Sequence, residues 1–137
     1  MGIILDSSIL VAFERRRFDL ERLLTDHSPP AIAAVTAAEL LIGVERANTP
    51  ERRARREAFV ENLFIRLPMI PFDLAQARLS AVRYAELAQR GEVIGDRDLQ
   101  IAVTALSLDY EMATLNVGEF QRVTGLKLVD VSGYAVA

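Results

Sequence analysis

The chain has 137 residues, 51% of them hydrophobic, with 16 basic side chains, 19 acidic ones and no cysteine. That length suits one domain over 1–137, and the apolar content is enough to close a core, which excludes a disordered chain. Without cysteine there is no disulfide, thiolate nucleophile or zinc–thiolate site, and a net charge of −3 lacks the excess of positive charge common in nucleic-acid-binding domains.

No apolar run reaches the about 20 residues of a membrane span, and the N-terminus lacks the basic and long apolar regions of a secretory signal. The expectation is a soluble cytoplasmic protein with no membrane contact. Apolar runs then alternate with helical patterns. A short buried strand is expected over 3–5, a helix over 7–14 and a short helix over 19–25. Ser28-Pro29-Pro30 signals a turn before a strand over 31–35, and Thr36 is suited to cap a helix over 37–47. Thr49 followed by Pro50 marks the next helix start, and Val60, Leu63, Phe64 and Leu67 give that helix its apolar stripe. Met69 and Ile70, between two prolines, read as extended. A long helix over 74–90 ends at Gly91, and another runs over 98–108. Strands are expected over 111–115 and 126–131. Strands alternating with helices predict an α/β fold, a three-layer α/β/α sandwich around a mainly parallel sheet.

Three acidic residues stand where apolar neighbours surround them. Asp6 ends Gly2-Ile3-Ile4-Leu5, Glu39 lies inside Val35-Thr36-Ala37-Ala38-Glu39-Leu40-Leu41, and Asp98 shares a helix face with Ile101, Ala102 and Ala105. In parallel α/β folds the ligand crevice lies beyond the carboxyl ends of the strands. Asp6, Glu39, Asp98 and Asn116 all fall at or near such ends. Two carboxylates about 4 Å apart repel by roughly 4 kcal/mol at an effective dielectric of about 20. A cluster of three therefore calls for protons or a cation. Oxygen-only ligands suit Mg²⁺ or Mn²⁺. His27 is the single histidine, so no histidine-rich metal site can form.

Competing structural roles exist for each residue. Asp6 could cap the first helix, Glu39 could be an exposed helix residue, and Asp96 suits an N-cap better than Asp98 does. Gly43, one turn after Glu39, leaves room above its helix for a ligand or a backbone. Ser8 and Thr114 could orient carboxylates as outer-shell partners, or simply cap. Fifteen of the 16 basic residues are arginine, clustered at Arg15-Arg16-Arg17 and Arg52-Arg53-Ala54-Arg55-Arg56. Pairing of Glu51 with Arg55 and of Arg53 with Glu57 at i,i+4 would make the second cluster an ordinary solvated helix face.

Taken in order, Ile3-Ile4-Leu5-Asp6-Ser7-Ser8, Thr36-Ala37-Ala38-Glu39-Leu40, Ile94-Gly95-Asp96-Arg97-Asp98-Leu99-Gln100-Ile101-Ala102 and Thr114-Leu115-Asn116-Val117-Gly118-Glu119-Phe120 resemble the motifs of PIN-domain nucleases, most closely the VapC-type toxins. The resemblance covers nearly the whole chain. It implies a PIN-like fold and a Mg²⁺- or Mn²⁺-dependent endoribonuclease, the toxin of a type II toxin–antitoxin pair, held in check by a VapB-like antitoxin and forming a homodimer. It places catalytic metal ligands on Asp6, Glu39 and Asp98. A fourth ligand position, often aspartate in the family, falls on Asn116. The implied reaction is in-line attack of water on an RNA phosphodiester, leaving a 5′-phosphate and a 3′-hydroxyl. Arg15, Arg16, Arg17 and Arg46 are candidate contacts to RNA or antitoxin. The alternative is a catalytically inactive PIN-like module that binds RNA or protein. Phosphoaspartate enzymes fit less well, because Asp6 lacks a second aspartate two residues on and Lys127 stands alone.

Overall fold

The computed structural model describes residues 1–136; Ala137, the last residue of the expected domain, lies outside them. Four short strands, β1 (Ile3–Leu5), β2 (Pro30–Ala33), β3 (Met69–Ile70) and β4 (Glu111–Ala113), form one sheet in the order β3-β2-β1-β4. Every pairing is parallel, with Ile4 opposite Ala31 on one side and Met112 on the other. Parallel neighbours need long crossovers, and helices supply them here. These are α1 (Ser7–Glu14), α2 (Leu20–Asp26), α3 (Ala34–Glu45), α4 (Pro50–Arg66), α5 (Leu74–Gln89), α6 (Asp96–Leu108) and α7 (Val117–Phe120).

The side-chain alternation of the strands divides the core in two. Ile3, Leu5, Ile32 and Ala113 face a cluster with Ile9 and Leu10 of α1, Leu40 of α3 and Leu63 of α4. Ile4, Ala31, Ala33 and Met112 face the opposite cluster, with Ile101, Ala102 and Ala105 of α6 and Phe120 of α7. Both faces of the sheet are thus covered, which is why its strands are apolar throughout rather than alternating. The result is the three-layer sandwich expected from the sequence. Gly2 leads into β1 where the Tyr110 ring and the Pro29 carbonyl leave no room for a Cβ.

Four local expectations change. The residues over 126–131 form no strand; only an isolated parallel bridge joins Met112 to Leu128, through Met112 N–H to the Lys127 carbonyl (2.8 Å) and Val129 N–H to the Met112 carbonyl (2.9 Å). Helix α3 begins at Ala34, three residues early, so Thr36 is a buried helical residue and no cap; its Oγ1 has no hydrogen-bond partner. Apolar continuity from β2 into α3 outweighs the capping preference there. Helix α6 begins at Asp96 with Gly95 at the N-cap position, so Asp96 caps nothing. Strand β4 stops at Ala113 and frees Thr114 for another task.

The strand order sets the location of the crevice. From β1 the chain steps to β2 and β3 on one side, and β4 returns to the other side of β1. The topological switch lies at the carboxyl ends of β1 and β4, the customary ligand crevice of such sheets. Helices that follow a parallel strand start at that edge, and a helix leading back to the next strand spans the sheet from the same edge. Asp6, Glu39, Asp98 and Thr114 are brought to one rim by this connectivity.

Candidate metal centre

Asp6 follows the last residue of β1, and its N–H donates to the Ala113 carbonyl at 3.0 Å. It occupies the N-cap position of α1, yet its side chain accepts no capping bond. The carboxylate is 5% exposed and is committed elsewhere. Its Oδ2 accepts from the Ser8 hydroxyl at 2.7 Å and from the Thr114 hydroxyl at 2.7 Å. These two hydroxyls are themselves oriented from behind: Leu115 N–H donates to Ser8 Oγ at 3.0 Å, and Asn116 N–H donates to Thr114 Oγ1 at 2.9 Å. The backbone after β4 therefore fixes the proton direction of both hydroxyls. The structure thus puts Ser8 and Thr114 on the Asp6 carboxylate, in the outer-shell geometry that steers a ligating carboxylate.

Glu39 lies in the second turn of α3, half-buried, with Oε1 enclosed and without a hydrogen-bond partner. Burial raises its pKa above the usual carboxylate range, and the Asp6 charge pushes the same way; Arg97 and the Ser7 hydroxyl oppose this. It is not the exposed helix residue of the competing reading. Asp98 stands in the first turn of α6. Burial pushes its pKa up to about 7, reinforced by a hydrogen bond with Glu119 and by the charges of Asp6, Glu119 and Glu39. Helix N-termini favour carboxylate anions. The upward shift runs against that preference, with burial its largest cause and the neighbouring acids adding to it.

Glu119 is the residue that the sequence reading left without a role. It lies in α7, half-buried, and shares a hydrogen bond with Asp98. Asn116, the expected fourth corner, is exposed at the N-cap of α7, makes no side-chain cap and has no side-chain hydrogen bond to an acid among the described residues. One turn of α7 carries Glu119 back toward Asp98 instead. The available signal was its three-residue offset from Asn116 within the quoted motif, which puts the two on adjacent turn positions.

Among the described residues, no three acidic or histidine side chains already stand close enough to form a closed metal cage. Asp98 feels the charges of Asp6, Glu119 and Glu39, yet these acids are not packed as a tight triad. That arrangement suits Mg²⁺ or Mn²⁺ better than it suits a cation needing an all-protein cage. Mg²⁺ keeps several waters and takes one or two carboxylates. The donor set is all oxygen, one buried carboxylate oxygen of Glu39 is unsatisfied, and Asp98 retains a proton that a cation would displace. The chemistry of the residues present fits a hard divalent cation, with Asp6, Glu39 and Asp98 as the candidates to hold it.

Of the arginines, Arg15 and Arg56 line a cavity of about 180 Å³ that also reaches Ser7 and Glu39. Arg46 lines a second depression of about 440 Å³, which shares Glu14 and Arg56 with the first. Arg16 lies at a left-handed φ of 59° and lines neither. Gly43 lines the first cavity, and the Arg56 side chain lies beside it, donating to the Gly43 carbonyl at 3.3 Å. Lys127 pairs with Asp109 at 3.1 Å, which engages it away from a phosphoaspartate role.

The PIN domain family matches residues 3–126. The chain is 33% identical over 132 residues to Ribonuclease VapC1 of Rickettsia felis, covering 96% of this chain and 98% of the relative. It is 35% identical over 112 residues to the tRNA(fMet)-specific endonuclease VapC of Shigella flexneri, covering 82% and 83%. Among solved structures, the DNA-bound VapBC of Salmonella typhimurium is similar with a TM-score of 0.85 at 26% identity, covering 95% of this chain and 98% of that one. VapBC-5 of Mycobacterium tuberculosis gives 0.78 at 30% identity, covering 96% and 100%.

Proposed function

From the premise that this chain belongs to the VapC ribonuclease family of PIN-domain proteins, we propose that it is a Mg²⁺- or Mn²⁺-dependent endoribonuclease, the toxin of a type II toxin–antitoxin pair. The observation that carries the metal-dependent reading is the coupling of Asp6, Glu39, Asp98 and Glu119 at one sheet edge, with Asp98 raised to about 7 and Glu39 Oε1 unsatisfied. Acids crowded at a crevice must share protons, as Asp98 does with Glu119, or take up a cation.

In this reading Asp6 and Asp98 would hold the cation, Glu39 would orient the attacking water through its free oxygen, and Glu119 would keep Asp98 turned inward. Ser8 and Thr114 hold Asp6 in one rotamer. A bound divalent cation would bring a water's pKa toward neutrality and shield the charge that develops on phosphate. Water then forms the new P–O bond, the 3′-oxygen leaves with a proton, and the products are a 5′-phosphate and a 3′-hydroxyl. Arg15 lines the cavity next to Glu39, where it can meet a phosphate oxygen of the substrate or the antitoxin; Arg16 and Arg46 are assigned the same kind of contact.

The relatives' names and structures support a VapB-like antitoxin as the partner, and we assign this chain a single PIN domain, a homodimeric state and a cytoplasmic location. No helix among the described residues is long and apolar enough to cross a membrane. The test is RNA cleavage by purified protein with Mg²⁺ or Mn²⁺, followed by mapping of RNA ends. Asp6→Asn and Asp98→Asn should each lower the rate by more than about 100-fold, beyond the 10–100-fold typical of outer-shell partners. Full activity in both variants, with the fold intact by circular dichroism, would sink the reading.

A further inference from the structure

The depression at the α3–α4 turn enters the reading above only through Arg46. Arg46 comes from the C-cap of α3, and Arg52, Arg55 and Arg56 come from the first two turns of α4. The ordinary account of such a cluster is i,i+4 pairing along the helix, and the structure does not follow it. Arg53 turns away to Glu45, with two bonds of 2.8 and 2.9 Å. Arg52 donates to the neutral Asn48 side chain at 2.8 Å and so keeps its full charge. Arg56 meets Glu14 only at 3.6 Å. Neither Arg46 nor Arg55 has a carboxylate partner among the described residues. Arg52 also stands in the first turn of α4, where the helix dipole disfavours a cation unless an anion joins it.

The position of this depression matters as much as its charge. Through Glu14 and Arg56 it adjoins the cavity that Arg15, Ser7 and Glu39 line, so a continuous surface leads from the acidic rim to the arginines. A chain of net charge −3, with four carboxylates at its centre, repels a polyanion. A phosphodiester placed at that centre carries its neighbouring phosphates a nucleotide away on either side. We propose that the depression formed by Arg46, Arg52, Arg55 and Arg56 binds backbone phosphates of single-stranded RNA flanking the scissile bond. The strand would run from the acidic rim past Arg15 onto α4. This rests on the endoribonuclease reading for its direction, while the binding it asserts is measured without cleavage. An acidic protein segment would match the arginines equally, but nothing would tie it to the acidic rim.

The experiment measures the affinity of a short fluorescent mixed-sequence RNA for the full chain carrying Asp98→Asn, across a salt series. Each single-strand phosphate contact contributes about 0.7 to the slope of log affinity against log salt. Arg46→Ala with Arg55→Ala should lower that slope by about 1.4 and weaken binding several-fold, with the melting temperature little changed. Arg55→Lys should retain the slope. Arg53→Ala, whose guanidinium Glu45 already holds, should change neither quantity. Unchanged affinity and slope in the double variant would overturn the proposal, as would a parent protein that does not bind RNA. So would a loss confined to binding of a polyglutamate peptide, which would assign the depression to an acidic protein. If the parent binds RNA in the expected way but the wild-type chain cleaves none with any divalent metal, the nuclease reading fails and the phosphate site stands.

Discussion

The two sides of the acidic rim are built in opposite ways. Asp6 is satisfied before any ligand arrives: two hydroxyls bond one carboxylate oxygen, and two backbone amides orient those hydroxyls. Asp98 and Glu39 are crowded and incompletely satisfied, one retaining a proton up to about 7 and the other with a buried oxygen that nothing meets. The difference teaches a division of labour. One carboxylate is fixed as an anchor by the protein, and the other side holds electrostatic tension that a cation and water would relieve.

Among the groups that hold the anchor in place, the largest effect is expected at Thr114. Thr114→Val keeps the shape, removes a hydrogen bond from Asp6 and leaves the Asn116 amide without its partner. Cleavage and Mn²⁺ affinity should each fall about 10–100-fold, and stability by about 1–3 kcal/mol as a buried polar group loses its partner. Calorimetric metal titration and chemical denaturation check both. If metal affinity is unchanged, the anchor is structural only.

The tense side responds to pH and metal. The native state keeps the Asp98 proton between its ordinary 3.8 and about 7, while the unfolded chain has released it. The native state binds more protons in that window, so stability of the metal-free protein should fall as pH rises from about 4 to about 7 and then level off. Thermal melting in a chelator from pH 5 to 8 should show that decline, and Mg²⁺ or Mn²⁺ should recover stability most at the alkaline end. A metal-free melting temperature that rises through this range contradicts the assignment.

Smaller still should be the contrast between the two candidates for the fourth corner. Glu119→Gln removes a charge and an anionic hydrogen-bond partner that raise the Asp98 pKa, so metal binding should set in at lower pH. Asn116→Ala should leave that onset in place, because its exposed side chain touches none of the acids among the described residues. Metal titrations at several pH values separate them, and an onset that moves with Asn116 instead would restore it as the corner.

Much of the site was legible in the chain because parallel α/β connectivity turns local position into spatial position. An acid just after an apolar strand, or in the first turns of the next helix, is delivered to the carboxyl edge whatever the rest of the fold does. The nearness of Asp6, Glu39 and Asp98 could therefore be expected from their apolar surroundings, and the Thr49-Pro50 helix start from its own chemistry. Local rules failed where tertiary packing outweighed them. Thr36 was drawn into a buried helix, and the segment over 126–131 found only one bridge beside β4.

The sequence by itself determined the alternation of strands and helices, the sandwich that this alternation requires, and an oxygen-only donor set at the strand ends. Only the tertiary structure decided which side chains face one another. It drew Glu119 rather than Asn116 to Asp98, gave Ser8 and Thr114 to one oxygen of Asp6, and turned Arg53 to Glu45 while leaving Arg46 and Arg55 open. Periodicity reports which face of an element is apolar. The partner of a charged group depends on how far crossovers rotate and displace that face against its neighbours, and that displacement is set by packing across the whole core.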